Sequence, residues 1–351
     1  MSFFGNFLRT KRSESVVLVD IGANAVAGAY ARYSKDKLPQ LLYARRLPIE
    51  VQKHEPRERA MIRALEVLGD TLVREGVPAL VRATGSHAVD AVLVSIDSPW
   101  QETRVSAEKI ATEASFVFTK HLVADAIQKA TPPTSGKIFL DTSVIATILD
   151  GYETLNPYGK KVHTASVIIL TTLVDQLVND TVRSIFQNLY HTKRILLRSG
   201  SALRYLAMRG AFPHERDALI LDATGPSASI ALVQKGLLVA VSEAAVGGAE
   251  ATAATNGGSA TEFARGFSEL AKSYPLPRTI FLLARDPDAA ALQKALRAVN
   301  FGSLWLSDNP PKIVPLLANQ LSGLVRQTAT TPPDLSLLLM AIYYKYCDKK
   351  V

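Results

Sequence analysis

Two stretches of the chain share one pattern: an apolar run closed by an acid, a turn of small residues, and a second apolar run. They are residues 16–26, VVLVDIGANAV, and residues 219–233, LILDATGPSASIALV. Short continuous apolar runs bounded by turn residues read as buried strands. Each stretch therefore predicts a β-hairpin with an acid at its tip, Asp20 in one and Asp222 in the other. Such a tip can face a phosphate. The two hairpins lie about 200 residues apart, which predicts two similar subdomains facing each other across a cleft. That is the layout of a two-lobed nucleotide clamp.

The pattern around the hairpins fills in the rest. Strands at 16–20, 25–33 and 40–48 precede a helix over 57–75, where Met61, Leu65, Leu68 and Leu72 share one face and Gly76 reads as the stop. A buried strand follows at 88–96. From residue 98 the spacing changes to a short strand (115–119), a helix (120–129) and two long strands (137–152 and 161–171) around a turn at 156–159. This reads as a small inserted α+β module. A helix (173–190), a strand (194–198) and a helix (201–209) lead to the second hairpin. Beyond it come a strand (236–244), a Gly/Ala/Thr-rich loop (245–260), a helix (261–273), a strand (279–284), a helix (288–299), a strand (303–306) and helical segments at 315–326 and 335–346. Asp334 is placed to cap the last helix, and Asp286 or Asp288 the one at 288–299. The organisation is an α/β fold: a tail (1–14), a first lobe (15–97 and 173–214) interrupted by the module (98–172), a second lobe (215–330) with a short lid at 245–275, and a closing helix (331–351).

Composition narrows the partners. With 48% hydrophobic and 21% charged residues the chain has an ordinary globular balance. No apolar run approaches the roughly 18–20 residues of a spanning helix, and MSFFGNFLRTKR lacks the features of a secretory leader. The single cysteine, Cys347, excludes an internal disulfide and a multi-cysteine metal site, and reads as a packing residue. A cytoplasmic location is the simplest reading. The net charge of +8 is spread along the chain with no arginine-rich run, so no nucleic-acid partner is expected. At the N-terminus Phe3, Phe4, Phe7 and Leu8 recur at helical spacing ahead of Arg9, Lys11 and Arg12. That stripe can lie on an anionic bilayer, pack on the domain, or be a plain leader. The six histidines show no metal-ligand spacing, and His121 reads as solvent-facing. Asp97 and Asp141 follow strand patterns with no partner evident in sequence.

The order of elements resembles the bacterial actin-like proteins of the FtsA and PilM family, a ribonuclease H-like fold. VDIGANAVAGAYA is similar to the family's first phosphate motif and ILDATGPSASIALVQKG to its second. FTKHLVADAIQKA and ILDGYETLNPYGKKVHTASVIIL resemble the inserted module that replaces one actin subdomain in that family.

The resemblance implies ATP and Mg²⁺ as ligands. It places Asp20 and Asp222 by the metal and attacking water, and Gly22, Asn24, Thr224, Gly225 and Ser227 around phosphates. The chain departs from the pattern. Ala23 and Asn24 stand where small hydroxyl residues are usual, and Pro226 removes a backbone donor from the second cradle. Arg285, Asp286 and Pro287 occupy the glycine places of the adenosine motif, and the lid is short. These departures predict a scaffold with weakened or lost ATP binding and hydrolysis. By resemblance it works at the inner face of the cell membrane, in type IV pilus or related envelope or secretion assembly. It would hold an inner-membrane protein's cytoplasmic peptide near residues 116–129 and 152–161. Two alternatives stay open: an active Mg·ATPase using Asp20 and Asp222, and an FtsA-like tether that self-associates into polymers. Both acids also read as turn residues bonded to their own backbone.

Overall fold

The computed structural model describes residues 13–225, 228–244, 258–302, 304–305, 310–328 and 331–346. The first sheet starts from β1 (Ser13–Ile21), β2 (Ala25–Ser34) and β3 (Gln40–Pro48), an antiparallel meander. It continues on the other side of β1 with β4 (Ala91–Ile96) and β9 (Ile195–Ser199), both parallel. The second sheet repeats this plan. Here β10 (Ala218–Asp222), β11 (Ala228–Gln234) and β12 (Leu237–Ala244) form the meander, and β13 (Thr279–Leu283) and β14 (Lys312–Leu316) add in parallel. Both sheets thus have the order 3-2-1-4-5, the first with β15 (Arg326–Gln327) added at its edge.

Period-2 alternation divides the apolar residues of β1 between two cores. Val17, Val19 and Ile21 join Met61, Leu65 and Leu68 of α1 (Arg57–Thr71) and Val178, Val182 and Phe186 of α4 (Gln176–Tyr190). Val16 and Leu18 face the other way, into a core shared with the second sheet. That core includes Leu219, Leu221 and Leu282, along with α5 (Gly200–Ala211) and α8 (Leu335–Tyr346). The two sheets are therefore joined at the base by apolar packing, with α5 lying against α8.

A third, smaller sheet has the order β5-β8-β6-β7. Its strands are β5 (Gln101–Val117), β6 (Lys137–Leu149), β7 (Tyr152–Glu153) and β8 (Lys161–Asp175). Helix α3 (Lys120–Ala130) covers it through a core of Phe118, Ala126, Val167 and Ile169.

Three local expectations are corrected. Gly76 is not a stop: α1 passes through a π turn (Leu72–Gly76) into α2 (Val77–Thr84) and ends at Gly85, whose φ of 73° is left-handed. At Gly76 a Cβ would lie 2.6 Å from the Tyr30 ring, so this glycine serves close packing. The strand expected only over 115–119 is the end of the long β5, whose mixed polar pattern hides it. Residues 315–326, expected as helical, begin on β14, which is the last strand of the second sheet among the described residues and carries Pro315, which a sheet edge tolerates; the strand expected at 303–306 lies partly outside the described residues. Between β12 and β13 the described residues hold α6 (Gly258–Ala271), and α7 (Ala289–Arg297) precedes β14. The expected stripe at Phe3, Phe4, Phe7, Leu8, Arg9, Lys11 and Arg12, the loop glycines and alanines of 245–257, Pro226, Ser227 and Cys347 lie outside the described residues.

Candidate functional site

The two hairpin acids occupy equivalent places. Asp20 is the penultimate residue of β1, paired across to Ala27 and Ser95; Asp222 ends β10, paired to Ser229 and Leu283. Both are buried. The duplicated sheet order brings them to the same interlobe crevice, at the carboxyl ends of the central strands. Asp97, one residue beyond β4, joins them: its N–H donates to the Ile21 carbonyl at 2.9 Å.

A guanidinium lies among the three carboxylates. Arg204 rises from α5 and is 5% exposed. Its Nη1 and Nη2 donate to the two Asp97 oxygens at 2.5 and 2.6 Å, a bidentate fork. Nε is 2.6 Å from Asp222 Oδ2, and Nη2 is 3.7 Å from Asp20 Oδ1. One side chain thus spans acids from both lobes. A second arginine, Arg46 on β3, donates to Asp20 Oδ2 at 3.1 Å and to both oxygens of Asp334 at 2.7 and 3.1 Å. Asp334 also accepts the Leu337 N–H at 3.2 Å, capping α8 as expected.

Helix packing dictates part of this. Ser199 caps α5, accepting from the Ala202 N–H at 3.4 Å. The next residue is Gly200, where a Cβ would sit 1.7 Å from Asp97 Oδ1. Only glycine lets the carboxylate pass this close to the helix start.

The electrostatics follow from burial and charge. Burial, reinforced by Asp97, pushes the Asp20 carboxyl up to about 6, with Arg46 and Arg204 pulling against it. Among the described residues Asp20 Oδ1 has no hydrogen-bond partner. Burial opposes the charge on Arg204, but Asp222, Asp97 and Asp20 outweigh it and hold the guanidinium protonated. Arg46 is held in the same way by Asp334 and Asp20.

The remaining expected residues are placed as follows. The Gly22 N–H is spent within its own turn, on the Ala25 carbonyl at 3.0 Å. Asn24 is exposed, and its carbonyl accepts from the Ile49 N–H at 2.7 Å. The first turn is further held from outside: Trp100 Nε1 donates to the Gly22 carbonyl at 2.8 Å and Arg57 to the Ala23 carbonyl at 3.3 Å. In the second hairpin Asp222 Oδ1 accepts both the N–H (3.0 Å) and the hydroxyl (2.7 Å) of Thr224. That is the turn role read as an alternative in sequence. Gly225 lines the crevice beside Thr224. Arg285 pairs with Asp288 at 2.5 Å. Asp288 stands before α7 without a side-chain cap bond, correcting the expectation for it. Asp286 instead accepts from the Ala318 N–H at 3.4 Å. His121 is exposed and bonds Asp125 at 2.8 Å. Asp141 sits within β6 and accepts the Ser199 N–H at 2.7 Å, its carboxyl raised by burial.

Sequence reasoning missed Arg204 and Arg46. The signal for Arg204 was present: a lone cation within the apolar run ALRYLAM.

Two spaces open at the crevice. Beside the acids is a polar cavity of about 60 Å³, lined by Asp20, Asp97, Arg204 and Asp222. On the far side of the hairpin tips is a cleft of about 640 Å³ between the lobes, lined by Arg45, Arg46, Thr224, Arg285 and Asp334 among others. Magnesium, which the resemblance implies, does not fit the acid set. The position between Asp20 and Asp222 is filled by a guanidinium that already engages Asp97 and Asp222. A metal would have to displace a buried cation from its salt bridges.

Two sheets of order 3-2-1-4-5 facing each other across such a crevice define the actin-like ATPase fold, a mixed α/β architecture. No family model matches the chain, and no curated sequence does. Among solved structures it is similar to a chain of the PilM–PilN type IV pilus biogenesis complex, with a TM-score of 0.51 and 14% identity over 94% of this chain and 95% of that one. A Bacteroides thetaiotaomicron protein of actin-like ATPase fold and unknown function gives a TM-score of 0.45 at 10% identity, covering 96% and 99% of the two chains. The ethanolamine utilization protein EutJ from Carboxydothermus hydrogenoformans gives 0.40 at 11%, covering 94% and 89%. At these identities the likeness is one of fold. Among the described residues no helix is long and apolar enough to cross a membrane.

Proposed function

We propose that this chain is a binding scaffold of actin-like fold that does not hydrolyse ATP. One observation carries the reading: Arg204 sits where the two hairpin acids would hold a cation, 2.6 Å from Asp222 and 3.7 Å from Asp20. The likeness to a PilM–PilN chain supports an assembly role beside an inner-membrane protein, in pilus or related envelope assembly, with that protein's cytoplasmic segment as the partner. The inserted module is the proposed contact. Tyr152, Leu155 and Tyr158 are 78%, 74% and 51% exposed there, and Tyr158 stacks on Phe118 with ring centroids 6.1 Å apart. Clustered exposed aromatic and aliphatic side chains are the usual anchors of a protein interface.

A specific observation favours a second reading. The 640 Å³ cleft lined by Arg45, Arg46 and Arg285 has the size of a small-molecule site. An anionic ligand without metal would meet Arg45 directly and would have to share Arg46 and Arg285 with Asp334 and Asp288. Calorimetric titration of ATP, with Mg²⁺ and then with EDTA, separates the two. The scaffold reading expects no saturable heat in either case, and saturation only with EDTA present supports the second. Micromolar Mg·ATP binding that is lost in Asp20→Ala and Asp222→Ala overturns both.

A further inference from the structure

The lobes meet at the base through apolar packing, but at the hairpin tips they meet through charge. Asp97 belongs to the first sheet's β4 end and Asp222 to the second sheet's β10 end, and the two acids share one guanidinium. Arg46 repeats the arrangement on the other side of Asp20, tying β3 to the N-terminus of α8 through Asp334. Four carboxylates and two guanidinium groups make a continuous ionic chain across the crevice. Without Arg204, Asp20, Asp97 and Asp222 would face one another with no cation at their centre, and like charges in a buried setting repel.

We propose that Arg204 is a built-in interlobe staple: without nucleotide it ties Asp97, at the end of β4 in the first lobe, to Asp222 at the tip of the second lobe's hairpin. It is a positioning residue and takes no part in chemistry. Its own helix anchors it. α5 follows β9 of the first sheet and leads to β10 of the second, so the staple sits on the segment that connects the two sheets. A guanidinium suits the task because its rigid planar fork takes Asp97 through two parallel N–H bonds while Nε still faces Asp222, a geometry that the single point of an ammonium does not reproduce. Gly200 permits the geometry by letting Asp97 approach the helix start. The staple shares its arginine with the proposed scaffold function but does not depend on it. A stapled clamp could still hold a ligand in the arginine-lined cleft.

The test is a spin-label distance between the lobes. Labels are placed on Arg82→Cys in α2 and Lys294→Cys in α7, both exposed positions, in a Cys347→Ser background. Double electron–electron resonance on the full chain should give one narrow distribution, unchanged by Mg·ATP. Arg204→Ala should shift it to longer distances and broaden it, and Arg204→Lys should fall between. If Arg204→Ala does not fold, Asp222→Asn removes only the second-lobe contact and should broaden the distribution too. An unchanged distribution in either folded variant overturns the staple. So does a broad wild-type distribution that narrows with Mg·ATP. Because the reading is a distance and not an affinity, it can fail while the titration supports the scaffold, and the reverse.

Discussion

Arg204 is charged where its neighbours on α5, Leu203, Tyr205, Ala207 and Met208, are buried and mostly apolar. A buried cation is tolerated only when paired, and removing one partner leaves the others uncompensated. Arg204→Ala is expected to lower unfolding stability by about 3–5 kcal/mol, with Arg204→Lys losing less, measured by urea denaturation. Asp20 gives a second test. Its carboxyl is raised from 3.8 to about 6, so the folded state binds the proton more tightly than the unfolded state. Its contribution to stability is full below about pH 4 and is lost as pH rises through about 6. The groups facing it are Asp97, Arg46, Arg204 and Asp334. Asp20→Asn should therefore gain stability relative to the wild type across that window, by at most about 1.4 kcal/mol per pH unit. Parallel pH profiles would contradict the assignment. Both acids were legible in sequence because they close strand runs at turn residues. Their partners were not, because a lone arginine on a helix does not reveal which carboxylates tertiary packing brings to it.

At the level of elements, Gly200 links helix geometry to the charge cluster. Gly200→Ala would place a methyl where Asp97 Oδ1 lies, 1.7 Å from the new carbon. Asp97 must then withdraw from Arg204. The expected result is a stability loss close to that of Asp97→Ala, and little further loss when the two changes are combined. Independent, additive losses would show that the contact is not shared. Helix α8 is buried on every side from Leu335 to Tyr344. Leu338→Ala is expected to cost about 2–5 kcal/mol in the same denaturation assay. The strongly apolar LSLLLMAIYYKY made this helix readable, and β3 was equally plain. Gly76 and β14 were not. A glycine carries the same letter whether it ends a helix or makes room for the Tyr30 ring, and Pro315 argues against a strand until the edge position is known.

For the molecule as a whole, duplication was the legible part. Two hairpins with an acid in the same place predicted two matching sheets, and both have the order 3-2-1-4-5. What the sequence left open was what fills the crevice between them, since that depends on distances among residues 20, 46, 97, 204, 222 and 334. The resemblance expected magnesium between Asp20 and Asp222, and the geometry puts an arginine there. Electron paramagnetic resonance of Mn²⁺ reports directly on this difference, because a protein-held ion has a spectrum distinct from free Mn·ATP. With the full wild-type chain in excess, the spectrum of Mn·ATP should stay that of the free complex. A protein-bound Mn²⁺ signal that disappears in Asp20→Ala would mean that a metal, and not Arg204, occupies the crevice.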